Sequence, residues 1–234
     1  KLILSSLGGV VLVGQEENTA ENLKFYTKIL EPFQVKNFNS LQTQPMPQEK
    51  KHTVVIPASS TQVFVRIGGL GIPRNHPDYL EYLIISDAIG GGFGSLITKR
   101  LREEQGLTYS PVANFYSLRQ EKGYFFIAYS TRQENLEKSL ALIEEIFNGL
   151  AQNGISLQSF KMSCQYMHGI FLVKEETYAS LAGILAEEII FNLPKNSWEN
   201  NKQMILNLDY QEVNEKIKEY FKNQRFLTVI LKKP

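Results

Sequence analysis

Cysteine and histidine are scarce in this chain. Cys164 is the only cysteine, which excludes an internal disulfide and a zinc site built from thiolates. The three histidines are His52, His76 and His168, and no two of them lie within five residues of each other. The helical zinc motifs H-x-x-E-H and H-E-x-x-H need two histidines on adjacent turns, so neither can be formed. The sequence therefore predicts that this chain holds no metal ion.

A charge bias and a long apolar run are also missing. The net charge of +1 gives no electrostatic basis for nucleic-acid binding. No stretch approaches the ~18 apolar residues that a membrane span requires. We therefore expect a soluble chain, and the sequence does not choose between cytoplasm and periplasm.

The chain begins at Lys1 rather than at a methionine, which indicates a fragment or a processed product. A charge followed by the apolar run Leu2–Val13 superficially resembles a signal peptide. No small-residue cleavage site follows the run, so the sequence favours a buried strand at Val10–Val13. The segment Glu31–Lys51 has three prolines, four glutamines and little periodicity. It predicts a long surface connection within a single domain that spans residues 1–234.

Apolar periodicity predicts an α+β fold, with an antiparallel sheet and helices layered mainly on one face. Two β-branched runs around the Pro57–Ser60 turn predict a hairpin. Capping boxes are predicted at Thr131–Glu134 and Asp209–Glu212. Cys164 falls at core spacing and is interpreted as inert packing. The predicted strands are Thr53–Ile56, Thr61–Ile67, Leu107–Tyr116, Gly123–Ser130 and Phe226–Leu231, and the predicted helices are Ala20–Leu30, Pro77–Ile89, Leu136–Leu150, Phe160–Phe171, Tyr178–Phe191 and Asp209–Phe221.

The most informative stretch runs from Gly90 to Ser110. Its three consecutive glycines must end the preceding apolar helix, because each costs a helix about 1 kcal/mol relative to alanine. A short charged helix then starts after Ser95, the predicted N-cap, and ends at Gly106, the predicted left-handed cap. The positions three and four residues from Arg102 carry no acidic side chain. Arg102 at a helix end and Tyr109 at a strand start are predicted to converge on one point.

The sequence LREEQGLTYS after GGGFGS resembles the insulinase/pitrilysin (inverzincin) zinc metallopeptidases. In that family, each half-unit pairs two related α+β domains, and two half-units close around the substrate. This chain is similar to the second, C-terminal domain of a half-unit over nearly its whole length. The resemblance therefore implies the fold of that repeated domain.

Carried over from the family motif, the resemblance implies that Arg102 and Tyr109 bind the substrate backbone and stabilise the scissile carbonyl. It implies peptide substrates and two protein partners, an N-terminal domain and an opposing half-unit, in a homodimer or a heterodimer. Zinc is expected on the absent N-terminal domain or on the partner subunit. Without H-x-x-E-H the chain alone is predicted to be inactive. The alternative is a non-catalytic structural or interaction subunit, like the core proteins of the respiratory bc1 complex.

Overall fold

The computed structural model describes residues 16–31, 52–92, 94–118, 123–223 and 225–233. The predicted strand at Val10–Val13 and most of the connection Glu31–Lys51 lie outside these residues. The α-helices are α1 (Glu16–Leu30), α2 (Tyr79–Gly90), α3 (Leu136–Asn153), α4 (Leu157–Val173), α5 (Tyr178–Ile190), α6 (Ser197–Met204) and α7 (Tyr210–Asn223). The strands are β1 (His52–Pro57), β2 (Val63–Leu70), β3 (Val112–Tyr116), β4 (Tyr124–Thr131) and β5 (Leu227–Lys232). A π-helix covers Thr98–Glu104, and short 3₁₀ turns cover Gln133–Asn135 and Ile205–Asn207.

The α+β class predicted from the sequence is confirmed. The five strands form one sheet in the order β1-β5-β2-β4-β3, and every neighbouring pair is antiparallel except β1 and β5, which are parallel. The hairpin predicted around Pro57–Ser60 is wrong, because β5 lies between β1 and β2. The connecting loop instead crosses the end of β5, where the amide of Ala58 donates to the carbonyl of Lys232 (2.9 Å).

One face of the sheet carries the core. Along β2, Val63, Val65 and Ile67 are buried while Phe64 and Arg66 between them are exposed, the alternation expected of a sheet that is covered on one face. Phe125 of β4, fully buried, is the centre of an aromatic cluster on the covered face. Its neighbours come from β3, α3, α7 and the segment before β5, namely Phe115, Phe147, Tyr220, Phe221 and Phe226.

The helices of the second half follow the predicted spacing, with α6 as an additional helix that the sequence analysis did not predict. The Asp209 cap is confirmed, since its carboxylate accepts hydrogen bonds from the amides of Gln211 (2.8 Å) and Glu212 (2.9 Å). The capping box at Thr131–Glu134 is wrong. Thr131 is the last residue of β4, and its hydroxyl donates to the carbonyl of Leu107 (2.6 Å) instead of capping a helix. Within the described residues, none of the helices is long and apolar enough to cross a bilayer.

Candidate functional site

The glycine run before the π-helix begins with Gly90, which allows α2 to approach β3 closely. A Cβ added at Gly90 would overlap the backbone and side chain of Ala113 in β3. A Cβ added at Gly91 would overlap Asp87 of α2 in the same way. Ser95 directly precedes the helical residues, as predicted, but its hydroxyl donates to the carbonyl of Gly92 (2.6 Å) rather than accepting from a helix amide. Gly90 therefore serves the close packing of α2 on β3, whereas a Cβ at Gly92 would lie in open space.

The segment Thr98–Glu104 is a π-helix, whereas the sequence predicted an ordinary helix for it. Contacts on both of its sides hold it in place. Its residue Leu101 is fully buried, as is Ile97 immediately before it. On its outer side, Arg100 forms ion pairs with Glu104 on the same helix (3.2 Å) and with Glu145 of α3 (2.7 Å). Such π-helical turns are rare and are frequently found at functional sites.

The turn after the π-helix has the left-handed glycine that the sequence predicted. Gly106 has φ +60°, and its amide donates to the carbonyl of Arg102 (3.0 Å). The next amide, that of Leu107, donates to the carbonyl of Leu101 (2.8 Å). The Leu107 side chain is buried, and the Thr131 hydroxyl holds its carbonyl. Two backbone bonds and one side-chain bond thus fix the chain that leads to Tyr109.

Tyr109 lies in this loop and not at the start of a strand. The predicted strand Leu107–Tyr116 is too long, because β3 begins at Val112. Pro111 has no N–H to donate to a sheet ladder, which is consistent with a start after it. The preceding residues instead use their backbone groups to close the π-helix and to bind Thr131.

The structure brings Arg102 and Tyr109 together. The Arg102 guanidinium carbon lies 4.7 Å from the centroid of the Tyr109 ring, a cation–π contact worth about 0.5–1 kcal/mol at an exposed site. The Tyr109 side chain is 78% exposed, and Arg102 is partly buried. The pair therefore presents a permanent positive charge and a phenolic hydroxyl on the surface. Both groups can donate hydrogen bonds to a carbonyl or to an anionic oxygen.

The histidines and the cysteine do not combine into a metal centre. Within the part of the chain that the structure describes, no group of three or more His, Cys, Asp or Glu side chains could hold a metal ion. His76 accepts a hydrogen bond at Nδ1 from the amide of Asp78 (3.1 Å), which caps the turn before α2. Cys164 is buried in α4, and burial, with a smaller contribution from Asp87, raises the pKa of its thiol to about 11. A thiol with this pKa is a poor nucleophile at neutral pH.

Comparisons with known proteins agree with this architecture. A family model described as the peptidase M16 inactive domain matches residues 10–166, more than half of the chain. A curated relative from Helicobacter pylori, named non-peptidase homolog YmxG, is 26% identical over 179 residues, which cover 73% of this chain and 39% of the relative.

Two solved structures share the fold. The crystal structure of a peptidase M16 inactive domain from Pseudomonas fluorescens is 22% identical with a TM-score of 0.81, and the match covers 92% of this chain and 51% of that one. A chain of Complex III2 from Candida albicans, with Inz-5 bound, is 10% identical with a TM-score of 0.68, and the match covers 93% and 52%. At these identities the likeness concerns the fold alone.

This chain thus spans about half the length, or less, of each of these three proteins. The residues that the family model matches include the motif from Gly90 to Tyr109. The chain belongs to the peptidase M16 inactive-domain family, the C-terminal domain of the insulinase-type half-unit.

Proposed function

We propose that this chain is the substrate-binding, chamber-forming domain of a zinc metalloendopeptidase assembly. In this proposal, Arg102 and Tyr109 bind the backbone of a peptide substrate whose scissile bond lies at a zinc ion. The zinc belongs to an N-terminal domain or a partner half-unit outside this chain. The observation that carries the proposal is the contact between an exposed tyrosine and an arginine on a firmly anchored π-helix.

The chemistry of the pair suits this role. When a zinc-activated water attacks a peptide carbonyl, negative charge develops on the carbonyl oxygen. Donors that are already aimed at this oxygen lower the barrier, because they need no reorganisation at the moment of reaction. Arg102 offers a positive charge with several N–H donors, and Tyr109 offers a hydroxyl donor. The buried anchors Leu101 and Leu107 hold the backbone on both sides of the turn.

A second candidate function is that of a non-catalytic structural or interaction subunit with the same fold. Two observations favour it, namely the non-peptidase name of the Helicobacter relative and the likeness to a chain of Complex III2. In that case no zinc-bearing partner exists. The Arg102–Tyr109 pair would then be a surface contact without a catalytic consequence.

The test is to isolate the native assembly through an affinity tag on this chain, and to measure its zinc content and its cleavage of a quenched fluorescent peptide. The variants are Arg102→Ala and Tyr109→Phe, with Arg132→Ala, an 80% exposed arginine, as the control. We expect kcat/KM to fall about 10²-fold in each site variant, since each loses one donor to the developing oxyanion. The control should be unchanged.

The same variants should barely alter folding. Because Tyr109 is exposed and Arg102 only partly buried, we expect the free energy of unfolding to change by about 0.5–1 kcal/mol in urea titrations. Unchanged turnover in both variants would contradict the proposed roles. A purified assembly with neither zinc nor peptidase activity would favour the structural alternative.

A further inference from the structure

A cavity of about 200 Å³ lies at the end of the sheet, between α2, α5 and the last residues of β3. It is found far from the Arg102–Tyr109 pair along β3. Tyr109 precedes the start of this strand, whereas Tyr116 and Ser117 at its other end line the cavity. Five strand residues separate the two ends by roughly 17 Å. The remaining walls come from Arg74, Tyr79, Tyr82, Leu83, Phe115, Glu187 and Phe191.

Arg74 is the positively charged group among the residues that line this cavity, and its side chain is only 9% exposed. Its guanidinium carbon lies 3.7 Å from the centroid of the Tyr79 ring and 6.0 Å from that of Phe191. Its ion pair with Glu187 is long, at 3.7 Å between Nη2 and Oε2. Within the described residues, the guanidinium donates no hydrogen bond.

This arrangement leaves the guanidinium donors of Arg74 open to the cavity, where solvent reaches them, rather than bonded to the protein. The planar fork of a guanidinium is satisfied best by a carboxylate or a phosphate, which can accept two parallel hydrogen bonds. A doubly charged phosphate is disfavoured here, because the Glu187 carboxylate lies close to the single cation. A monovalent carboxylate is the acceptor that fits.

The aromatic side chains of the other walls determine which chemical group can accompany the carboxylate. Tyr82 and Phe115 meet edge to face with ring centroids 5.1 Å apart, and Phe191 lies on the α5 side. Such aromatic walls favour an apolar group over water. A dry cavity of about 150 Å³ is sufficient to bind benzene, so this cavity has room for one ring or one branched side chain.

We propose that the Arg74 cavity binds a carboxylate joined to an apolar group, with the carboxylate on the guanidinium and the apolar group against Tyr82, Phe115 and Phe191. In the unliganded chain Glu187, whose side chain is 44% exposed, partly neutralises Arg74. A bound carboxylate replaces it, and Glu187 turns to solvent. The proposal is independent of the role of Arg102 and Tyr109. The C-terminal residue of a peptide and a free small acid both have this chemistry.

The test is an NMR titration of the full chain with N-acetyl-L-phenylalanine and with its primary amide, a probe of the same size without the charge. We expect the acid to bind with a dissociation constant of about 1 mM, and to shift the amide signals of Ser117 and Phe191. The amide should bind at least about tenfold more weakly, because it lacks the charge-assisted hydrogen bonds.

Variants assign the binding to Arg74. Arg74→Met should weaken the acid at least about tenfold and leave the amide unchanged. Glu187→Gln should tighten the acid about two- to threefold, because the competing charge is gone. Arg132→Met, which removes an arginine that is 80% exposed, should have no effect. Should Arg74→Met fail to fold, Arg74→Lys takes its place with the same expected direction, since an ammonium cannot form the bidentate pair.

A pentapeptide that ends in phenylalanine, compared with its amidated form, distinguishes a peptide C-terminus from a free small acid as the ligand. Binding of the free-acid peptide as tight as that of the small acid identifies a peptide C-terminus, and binding of the small acid alone identifies a free acid. Equal binding of acid and amide would overturn the proposal. So would acid binding that Arg74→Met leaves unchanged, or no saturation by any of the acids up to about 10 mM.

Discussion

At the scale of one residue, the reactivity of the Cys164 thiol reports how well the helical layer excludes water. Burial raises the pKa of its thiol to about 11, well above its ordinary value, and Asp87 adds to the shift. Only the thiolate reacts with a disulfide reagent, so its fraction at pH 8 is roughly 0.1% in the folded chain. We expect labelling by an aromatic disulfide reagent at pH 8 to be at least ~10²-fold slower in the native chain than in 6 M urea.

The raised pKa of Cys164 also makes the stability of the fold depend on pH in a definite direction. Because the folded pKa lies above the unfolded one, the protonated thiol stabilises the fold below about pH 9, and this contribution is lost as the pH rises towards about 11. Native labelling should therefore accelerate over that range. The control is Cys164→Ser, which should show no labelling under either condition. Equal rates in the native and unfolded chains at pH 8 would show that the thiol is accessible.

Residues whose roles depend on local spacing are predictable from the sequence. Gly106 was predictable because a helix end with a glycine between polar and apolar residues favours the left-handed cap. The proximity of Arg102 and Tyr109 followed from the tight turn between them. Arg74 could not be found in this way, because it lies in a proline-containing loop and its partners Glu187 and Phe191 are more than one hundred residues away along the chain.

At the scale of elements, the sequence predicts which segments are strands better than it predicts their neighbours. Both β1 and β2 were predicted from their β-branched runs, and a short connection normally indicates a hairpin. The final strand β5 takes the place between them instead. Its residue Ile230, which pairs with Val65 of β2, is buried in the same core. This preference depends on contacts between distant segments, which local periodicity does not contain.

The error at Thr131 has the same origin. A threonine three residues before a glutamate favours a capping box, in which the threonine oxygen accepts a hydrogen bond from a helix amide. In the folded chain, Thr131 is the last residue of β4, and its hydroxyl donates to the buried Leu107 carbonyl. The bond joins β4 to the loop that carries Tyr109, so it anchors the loop of the candidate site to the sheet.

Thr131→Val tests this support, because valine keeps the shape of threonine and removes the hydroxyl. A buried carbonyl that loses its partner costs about 1–3 kcal/mol, so we expect a loss of that size in the free energy of unfolding. Thr53→Val, at an exposed position of β1, is the matched control and should change stability by less than about 0.5 kcal/mol. Equal effects of the two substitutions would show that the Leu107–Thr131 bond adds no net stability.

At the scale of the whole molecule, the core that the described residues form lies in one part of the chain. The hydrophobic residues that are buried, among those described, all fall between Val63 and Ile230. The described side chains of α1 are exposed, including Leu23, Phe25 and Ile29, which are 44–58% accessible. The single domain predicted over residues 1–234 stays a prediction.

We expect a chain with Leu23→Gln and Ile29→Gln in α1 to retain one cooperative thermal transition, with a melting temperature within about 4 °C of the unsubstituted chain. The reason is that both side chains are exposed, and 1 kcal/mol corresponds to roughly 2–4 °C in a chain of this size. The matched control removes β5, the strand that pairs with both β1 and β2, and should abolish the transition. The measurement is calorimetry on the three chains at equal concentration. A loss of more than about 10 °C in the α1 variant would contradict the exposure of this helix and show that its apolar side chains are packed in the folded chain.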